Sequence, residues 1–254
     1  MIVMIVQKSI LPELLNHKYR IEIAGNKEDV DSALSLRYDI FNLELRRGFD
    51  FSDRKDSDAY DEQCHHLLVK MKSTNEIVGT YRLQTWENAE RGKGFYSAKR
   101  FRIDQLDERT LRNSVEVGRA CIKKDHRSGR VLFLLWKGLA GYLQHFKKRY
   151  LFGSSALQTT DSSKANKLLV KLNEAGYIDK ERMVSVQPEY SFDLSRVSSE
   201  EVSVPPLFQN YLDVGAKICG GPALDQKAGS AYFLTLLDIE NISDRTRKVF
   251  FVNS

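Results

Sequence analysis

SVEVGRACIKKDHRSGRVLFLLWKGLAGYLQHF, residues 114–146, is the stretch on which the fold turns. Its first nine residues predict a strand, and Gly118 marks a bulge or a close backbone approach in the second half. KKDHRSGR (123–130) is a basic, glycine-containing loop. Residues 131–146 predict a long apolar helix. A loop that opens a helix presents free backbone N–H groups and the positive end of the helix dipole, which together can hold a phosphate. Lys123, Lys124, Arg127 and Arg130 add charge around Gly129. The loop matches neither GxxxxGK[ST] nor GxGxxG. A solvated turn with ordinary surface cations is therefore the alternative.

Upstream, YRIEIA (19–24) alternates and predicts a first strand. Residues 28–44 predict a helix from the spacing of Val30, Ala33, Leu34, Leu36, Tyr38, Ile40 and Phe41. Residues 45–62 form a long charged loop, a frequent location for function. Strands follow at His66–Met71 and Glu76–Gln84, joined by KSTN, and residues 85–113 read as irregular. Downstream, 150–157 is a buried strand and 162–175 a helix ending at Gly176. Residues 204–222 predict a helix opened by prolines and closed by glycines, and 231–239 a last strand. This order describes an α/β fold with a mixed central sheet flanked by helices and a C-terminal helical and strand elaboration.

The 254 residues suit one such domain, and 42% hydrophobic content is enough for a real core. The net charge of +5 favours an acidic partner. No zinc finger, RNP-like motif or basic arm supports nucleic acid. Cys64, Cys121 and Cys219 are odd in number and far apart, which predicts a reduced, cytoplasmic setting. With no CxxC, HxxE or HExxH, no metal is expected. The opening MIVMIVQKSILPELL is too short to span a membrane and lacks signal-peptide features. It reads as a tail or strand (1–18), with peripheral membrane contact as the alternative.

Charged residues inside apolar or loop contexts form a second pattern: Arg37 four residues before Phe41, Asp58 and Asp61 as DxxD, Arg82 in GTYRLQ, and Glu116 and Arg119 as ExxR. Burying an unpaired ion costs several kcal/mol, so these groups must find partners. They form either a structural ion-pair network or a polar pocket whose carboxylate handles a proton.

This spacing resembles that of the acyl-homoserine-lactone synthases. Longer blocks resemble the ornithine lipid acyltransferases, also called hemolysin-like, and the long-chain N-acyl amino acid synthases: RYDIF, DAYDEQCHHLLV, EIVGTYRL, GFYS, EVGRACI, LLWKGLAGYL, YLFGSSAL and PPLFQNYLDVGAKICGGPA. The resemblance implies a GCN5-related N-acyltransferase fold, with an acyltransferase domain over 19–200 and a packed extension over 201–254. It implies a fatty acyl thioester on acyl carrier protein as donor and ornithine as acceptor; other relatives acylate glycine or tyrosine. The loop KDHRSGR departs from the Q/RxxGxG/A pattern of coenzyme-A users, which argues against acetyl-CoA. GSSAL replaces the usual Gly-Cys-Ala-Ser-like run, so neither serine is assigned a catalytic role.

On that basis Glu116 is the candidate base for the amine, against a purely structural salt bridge with Arg119 or Arg82. Arg119 shares the catalytic assignment, with backbone N–H groups around Val117–Ala120 as oxyanion donors. Arg37, Phe41, Asp58, Asp61 and Arg82 are candidates for positioning the acceptor. Phe41, Phe95, Tyr96, Leu134, Trp136 and Phe152 are candidates for the acyl slot or the core. Lys123, Lys124, Arg127, Gly129 and Arg130, with the 147–149 KKR run, are candidates for binding phosphopantetheine and its acidic carrier. The cysteines are core residues, His65 and His66 face opposite sides of a strand, and no cofactor is needed. A signal synthase and a non-catalytic carrier- or lipid-binding module are the competing functions. The location implied is cytoplasmic, or peripheral at the inner face of the cytoplasmic membrane.

Overall fold

The computed structural model describes residues 17–45 and 51–251; the N-terminal opening and Arg46–Asp50 lie outside them. By its internal packing the chain divides into two units. One comprises the described residues up to Gly92, Val117–Lys148 and those from Arg247; the other comprises Lys93–Glu116 and Arg149–Thr246.

In the first unit, β1 (Tyr19–Ile23) pairs antiparallel with β2 (His65–Met71), Tyr19 opposite Met71 and Ile23 opposite Leu67. β2 pairs antiparallel with β3 (Ile77–Thr85), which sets His66 opposite Arg82. The connecting turn closes through Asn75 at φ 61°, a conformation asparagine tolerates. α1 (Lys27–Tyr38) starts where the Asn26 side chain accepts the Asp29 N–H. Its axis continues as a π-helical turn, Asp39–Glu44, so the helix predicted over 28–44 is present but changes winding at Asp39. α4 (Arg130–His145) is apolar on most faces and buries Val131, Leu135, Leu139, Tyr142 and Leu143. It approaches the strands at two glycines. A Cβ on Gly79 of β3 would meet Val131 at 2.7 Å, and one on Gly138 of α4 would meet Leu67 at 2.8 Å.

In the second unit, β4 (Ser114–Ile122) enters with Ser114–Glu116 paired in parallel with Tyr150–Phe152 of β5 (Tyr150–Leu157). β5 pairs antiparallel with β7 (Ser230–Asp238), and β7 with β6 (Lys217–Asp225). α5 (Ser162–Glu174) and α6 (Pro206–Asp213) bury Leu168, Leu172, Phe208 and Leu212 with Ile218 and Phe233. β4 contributes to both units, and the strand order is β1-β2-β3-β4-β5-β7-β6, a seven-stranded mixed sheet with helices, as expected of a GNAT-type acyltransferase.

Two expectations need correction. The helix predicted over 204–222 ends at Asp213, and β6 takes the rest. Gly215 at φ 106° breaks the helix, and hydrogen bonds to β7 hold KICGGPALD extended. The stretch 85–113 is not irregular throughout. It holds α2 (Trp86–Arg91) and α3 (Glu108–Arg112), capped by Thr85 and Asp107, whose side chains accept the N–H of Asn88 and Thr110. The last helix, α7, spans Asp244–Phe250. Among the described residues no helix is long and apolar enough to cross a membrane.

Candidate active site

The first unit gathers three arginines on three aspartates. Arg37, in the last turn of α1, donates from Nη2 to Asp56 at 2.7 Å and from Nη1 to Asp61 at 2.6 Å. Arg82, on β3, donates from Nη1 to Asp58 at 2.6 Å and to Asp61 at 3.0 Å. Arg119, on β4, donates from Nη2 to Asp58 at 3.1 Å, and its Nε lies 3.2 Å from Asp56. The loop folds to meet them. The Asp58 N–H donates to Asp61 at 2.7 Å and the Tyr60 N–H to Asp58 at 2.9 Å, so the DxxD run closes on itself.

Arg119 reaches these carboxylates because it adopts φ 51° inside a strand. A left-handed non-glycine residue costs roughly 1–2 kcal/mol, and such strain persists where the surroundings enforce it. The irregularity that the sequence places at Gly118 thus falls one residue later. A Cβ on Gly118 would meet nothing within 4 Å.

Burial alone would raise the Asp61 carboxyl, but the charge and hydrogen bonds of Arg37, then the charge of Arg82, outweigh it and hold it well below the carboxylate range. Asp58 is lowered in the same way by Arg82 and Arg119 against burial. Both stay ionised at neutral pH and are poor proton acceptors. Arg37 is fully buried, whereas Asp58 and Arg119 keep 18% and 21% of their side chains exposed and form the network's accessible edge. Sequence reading missed Asp56. Its signal was the DxDxxD spacing across 56, 58 and 61, ambiguous until the loop is folded. Phe41 packs in an apolar cluster with Leu36, Ile40, Leu68, Ile77 and Cys121. Burial pushes the Cys121 thiol up to about 12, which leaves it unreactive.

The basic loop is also in this unit. Gly129 precedes α4 at φ 84°, and no side chain caps the helix. Lys124, Arg127 and Arg130 are exposed. Lys123 pairs with Glu76, and Arg127 donates to both Glu44 oxygens at 2.5 and 2.7 Å, so part of the predicted charge is already matched. Lys148 is likewise held by Glu87.

In the second unit the central group is Glu116. Its side chain is buried, and its two oxygens accept the N–H of Tyr96 at 2.7 Å and of Ser97 at 2.6 Å. These donors open the 3₁₀ turn Tyr96–Lys99, the GFYS block of the sequence. Ser97 Oγ lies 3.3 Å from Ser154 Oγ, and Phe95 meets Phe152 edge-on at 4.9 Å. Arg149 is held by Asp238 at 2.6 Å. Arg100, at the end of the turn, is a buried cation the sequence reading did not single out.

Residues 36–137 match the family model described as an acetyltransferase (GNAT) domain. The chain is 30% identical over 239 residues to the L-ornithine N(alpha)-acyltransferase of Rhizobium meliloti (strain 1021), covering 88% of this chain and 81% of that protein. Against the enzyme of the same name from Brucella abortus (strain 2308) it is 29% identical over 241 residues, covering 89% and 86%. Among solved structures, the acyl-homoserine-lactone synthase LasI superposes with a TM-score of 0.52 at 12% identity, covering 92% of this chain and 94% of LasI. The coenzyme-A-dependent synthase BjaI gives 0.50 at 17% identity, covering 88% and 81%. These two likenesses show a shared fold.

Proposed function

The chain belongs to the family of L-ornithine N(alpha)-acyltransferases and is an acyltransferase, and from that premise we propose that it moves a fatty acyl group, 3-hydroxylated or plain, from acyl carrier protein to the α-amine of L-ornithine, giving a lyso-ornithine lipid. The acceptor's ammonium gives a proton to Glu116. The neutral nitrogen attacks the thioester carbon, a C–N bond forms, and the tetrahedral oxyanion collapses with loss of the C–S bond. The nitrogen, cationic after attack, gives up its second proton, which the departing thiolate takes, and the first proton leaves Glu116 for solvent. The reaction is redox-neutral, so no resident cofactor is required; the donor brings its own phosphopantetheine.

The observation that carries this reading is the buried Glu116 carboxylate, oriented by two backbone N–H groups. Fixed geometry is what a general base needs. The Asp56–Asp58–Asp61 carboxylates, committed to arginines, do not compete for that role. Backbone N–H groups around Arg119, where the strand leaves regular geometry, serve the oxyanion. The ion-pair network holds the Arg119 side chain in place. Lys124, Arg130 and the start of α4 receive the phosphopantetheine and its carrier.

Glu116→Gln tests the assignment through pH. General-base catalysis contributes about 10²–10⁴-fold, and the loss shrinks as rising pH deprotonates the amine without help. The variant's kcat/KM is therefore expected to climb toward wild type at high pH. A deficit constant across pH would make Glu116 structural, and full activity at every pH would remove it from the mechanism. Product mass spectrometry with ornithine, glycine and tyrosine identifies the acceptor.

A further inference from the structure

Arg100 closes the same 3₁₀ turn whose opening N–H groups bind Glu116. Its side chain is buried, with 6% exposed. Nε and Nη2 donate to one oxygen of Asp225, at 3.1 and 2.6 Å, and the other Asp225 oxygen accepts the Ala228 N–H at 2.9 Å. Asp225 thus grips one edge of the guanidinium. The third nitrogen, Nη1, is buried with no partner in hydrogen-bond geometry, and the Tyr96 side chain supports the cation from beside it. Three tyrosine rings stand around the cation, with centroids 4.1 Å (Tyr232), 5.5 Å (Tyr96) and 5.7 Å (Tyr190) from its Cζ. Tyr96 and Tyr190 are partly exposed, so the cage borders solvent.

Native proteins seldom leave such a donor unmatched, because a buried unsatisfied group forfeits its hydration. A guanidinium fixed on one edge and unmatched on the other is suited to a carboxylate. Aromatic walls favour the cation and exclude water, which strengthens the bond to an incoming anion.

We propose that Arg100 Nη1 receives the α-carboxylate of the amino-acid acceptor, so that the Tyr96–Lys99 turn presents a base at one end and a carboxylate clamp at the other. The assignment rests on the acyl-transfer reading above. It makes Arg100 the residue that distinguishes an α-amino acid from a simple amine, with Asp225 and the tyrosines as its positioning residues.

The test compares L-ornithine with 1,4-diaminobutane, which keeps both amines and lacks the carboxylate, using full-length protein and a long-chain acyl carrier protein thioester. Wild type is expected to prefer ornithine strongly. Arg100→Gln should lower kcat/KM for ornithine by roughly 10- to 100-fold, mainly through KM, since a charge-assisted hydrogen bond is lost. It should leave 1,4-diaminobutane within about threefold, and Arg100→Lys should fall between. Equal loss on both acceptors, or an unchanged ratio, overturns the assignment. If Arg100→Gln does not fold, Arg100→Lys decides by the same ratio. Wild type that acylates no α-amino acid overturns the acyl-transfer reading and this assignment with it, whereas an ornithine-active wild type beside an indifferent Arg100→Gln overturns the Arg100 assignment alone.

Discussion

His66 shows how the ion-pair network ties stability to pH through a single side chain. It lies on β2 opposite Arg82, 2% exposed. Its Nε2 is 3.4 Å from the Asp61 carbonyl oxygen, and Nδ1 has no hydrogen-bond partner. Protonation would place an unmatched donor in a buried site. Burial accordingly pushes the imidazole down to about 4; the Asp61 charge opposes this, and Arg37 adds to it. The folded protein holds His66 neutral, while the unfolded chain takes up a proton near the ordinary value of 6.5. The stability this provides is complete above about pH 6.5 and is lost as pH falls toward 4. Between pH 7 and 5 the loss is about 2 kcal/mol. His65, lowered by burial and by the His145 charge, acts in the same direction. Urea unfolding of wild type at the two pH values should show this fall, and His66→Gln should flatten it whatever its absolute stability. Parallel pH dependences for the two proteins would dissociate His66 from the effect.

At the scale of elements, two strand glycines make opposite predictions. On β3, a Cβ at Gly79 would press on the stiff Val131 side chain of α4 at 2.7 Å. Gly79→Ala should destabilise by about 1–3 kcal/mol, measured by chemical unfolding. On β4, a Cβ at Gly118 meets open space. If the thioester lies along the bulge, Gly118→Val should melt within a few degrees of wild type yet lose about tenfold or more in acyl transfer. Retained activity would place the thioester elsewhere. The contrast also marks what was legible in the sequence. The strand, basic loop and helix of 114–146 follow from local alternation, a glycine stop and apolar length, which one window of sequence contains. β6 did not, because KICGGPALD becomes a strand only by pairing with β7, and prolines before it with glycines inside it imitate a capped helix. The same distinction holds at the site. Glu116 and Arg119 stood out as charges within a strand. Asp56 required the folded loop, and Arg100 required Asp225, 125 residues further along the chain. A pairing at that separation leaves no periodic trace.

The net charge of +5 becomes meaningful for the whole molecule once internal pairing is taken into account. Lys123 and Arg127 of the basic loop are matched by Glu76 and Glu44, and Lys148 and Arg149 of the KKR run by Glu87 and Asp238. The exposed pairs of the loop, Lys123–Glu76 and Arg127–Glu44, add at most about 1 kcal/mol of stability, but every one of these pairs reduces the field available to a partner. Lys124 and Arg130, exposed at the loop and at the first position of α4, are the cations best placed to steer an acidic carrier. Electrostatic steering acts on association and weakens as the Debye length shrinks to about 8 Å at physiological salt. Under the proposed carrier-dependent reaction, Lys124→Glu and Arg130→Glu should each raise KM for the acyl carrier protein donor by about tenfold at low salt. The effect should shrink at high salt and leave KM for the amino acid unchanged. Arg127→Glu tests the argument from the other side, because it sets a new acid beside Glu44 and exposes it. It should lower stability slightly as well as weaken the donor. A donor KM flat with salt and indifferent to Lys124→Glu and Arg130→Glu would move the carrier's docking surface away from this loop.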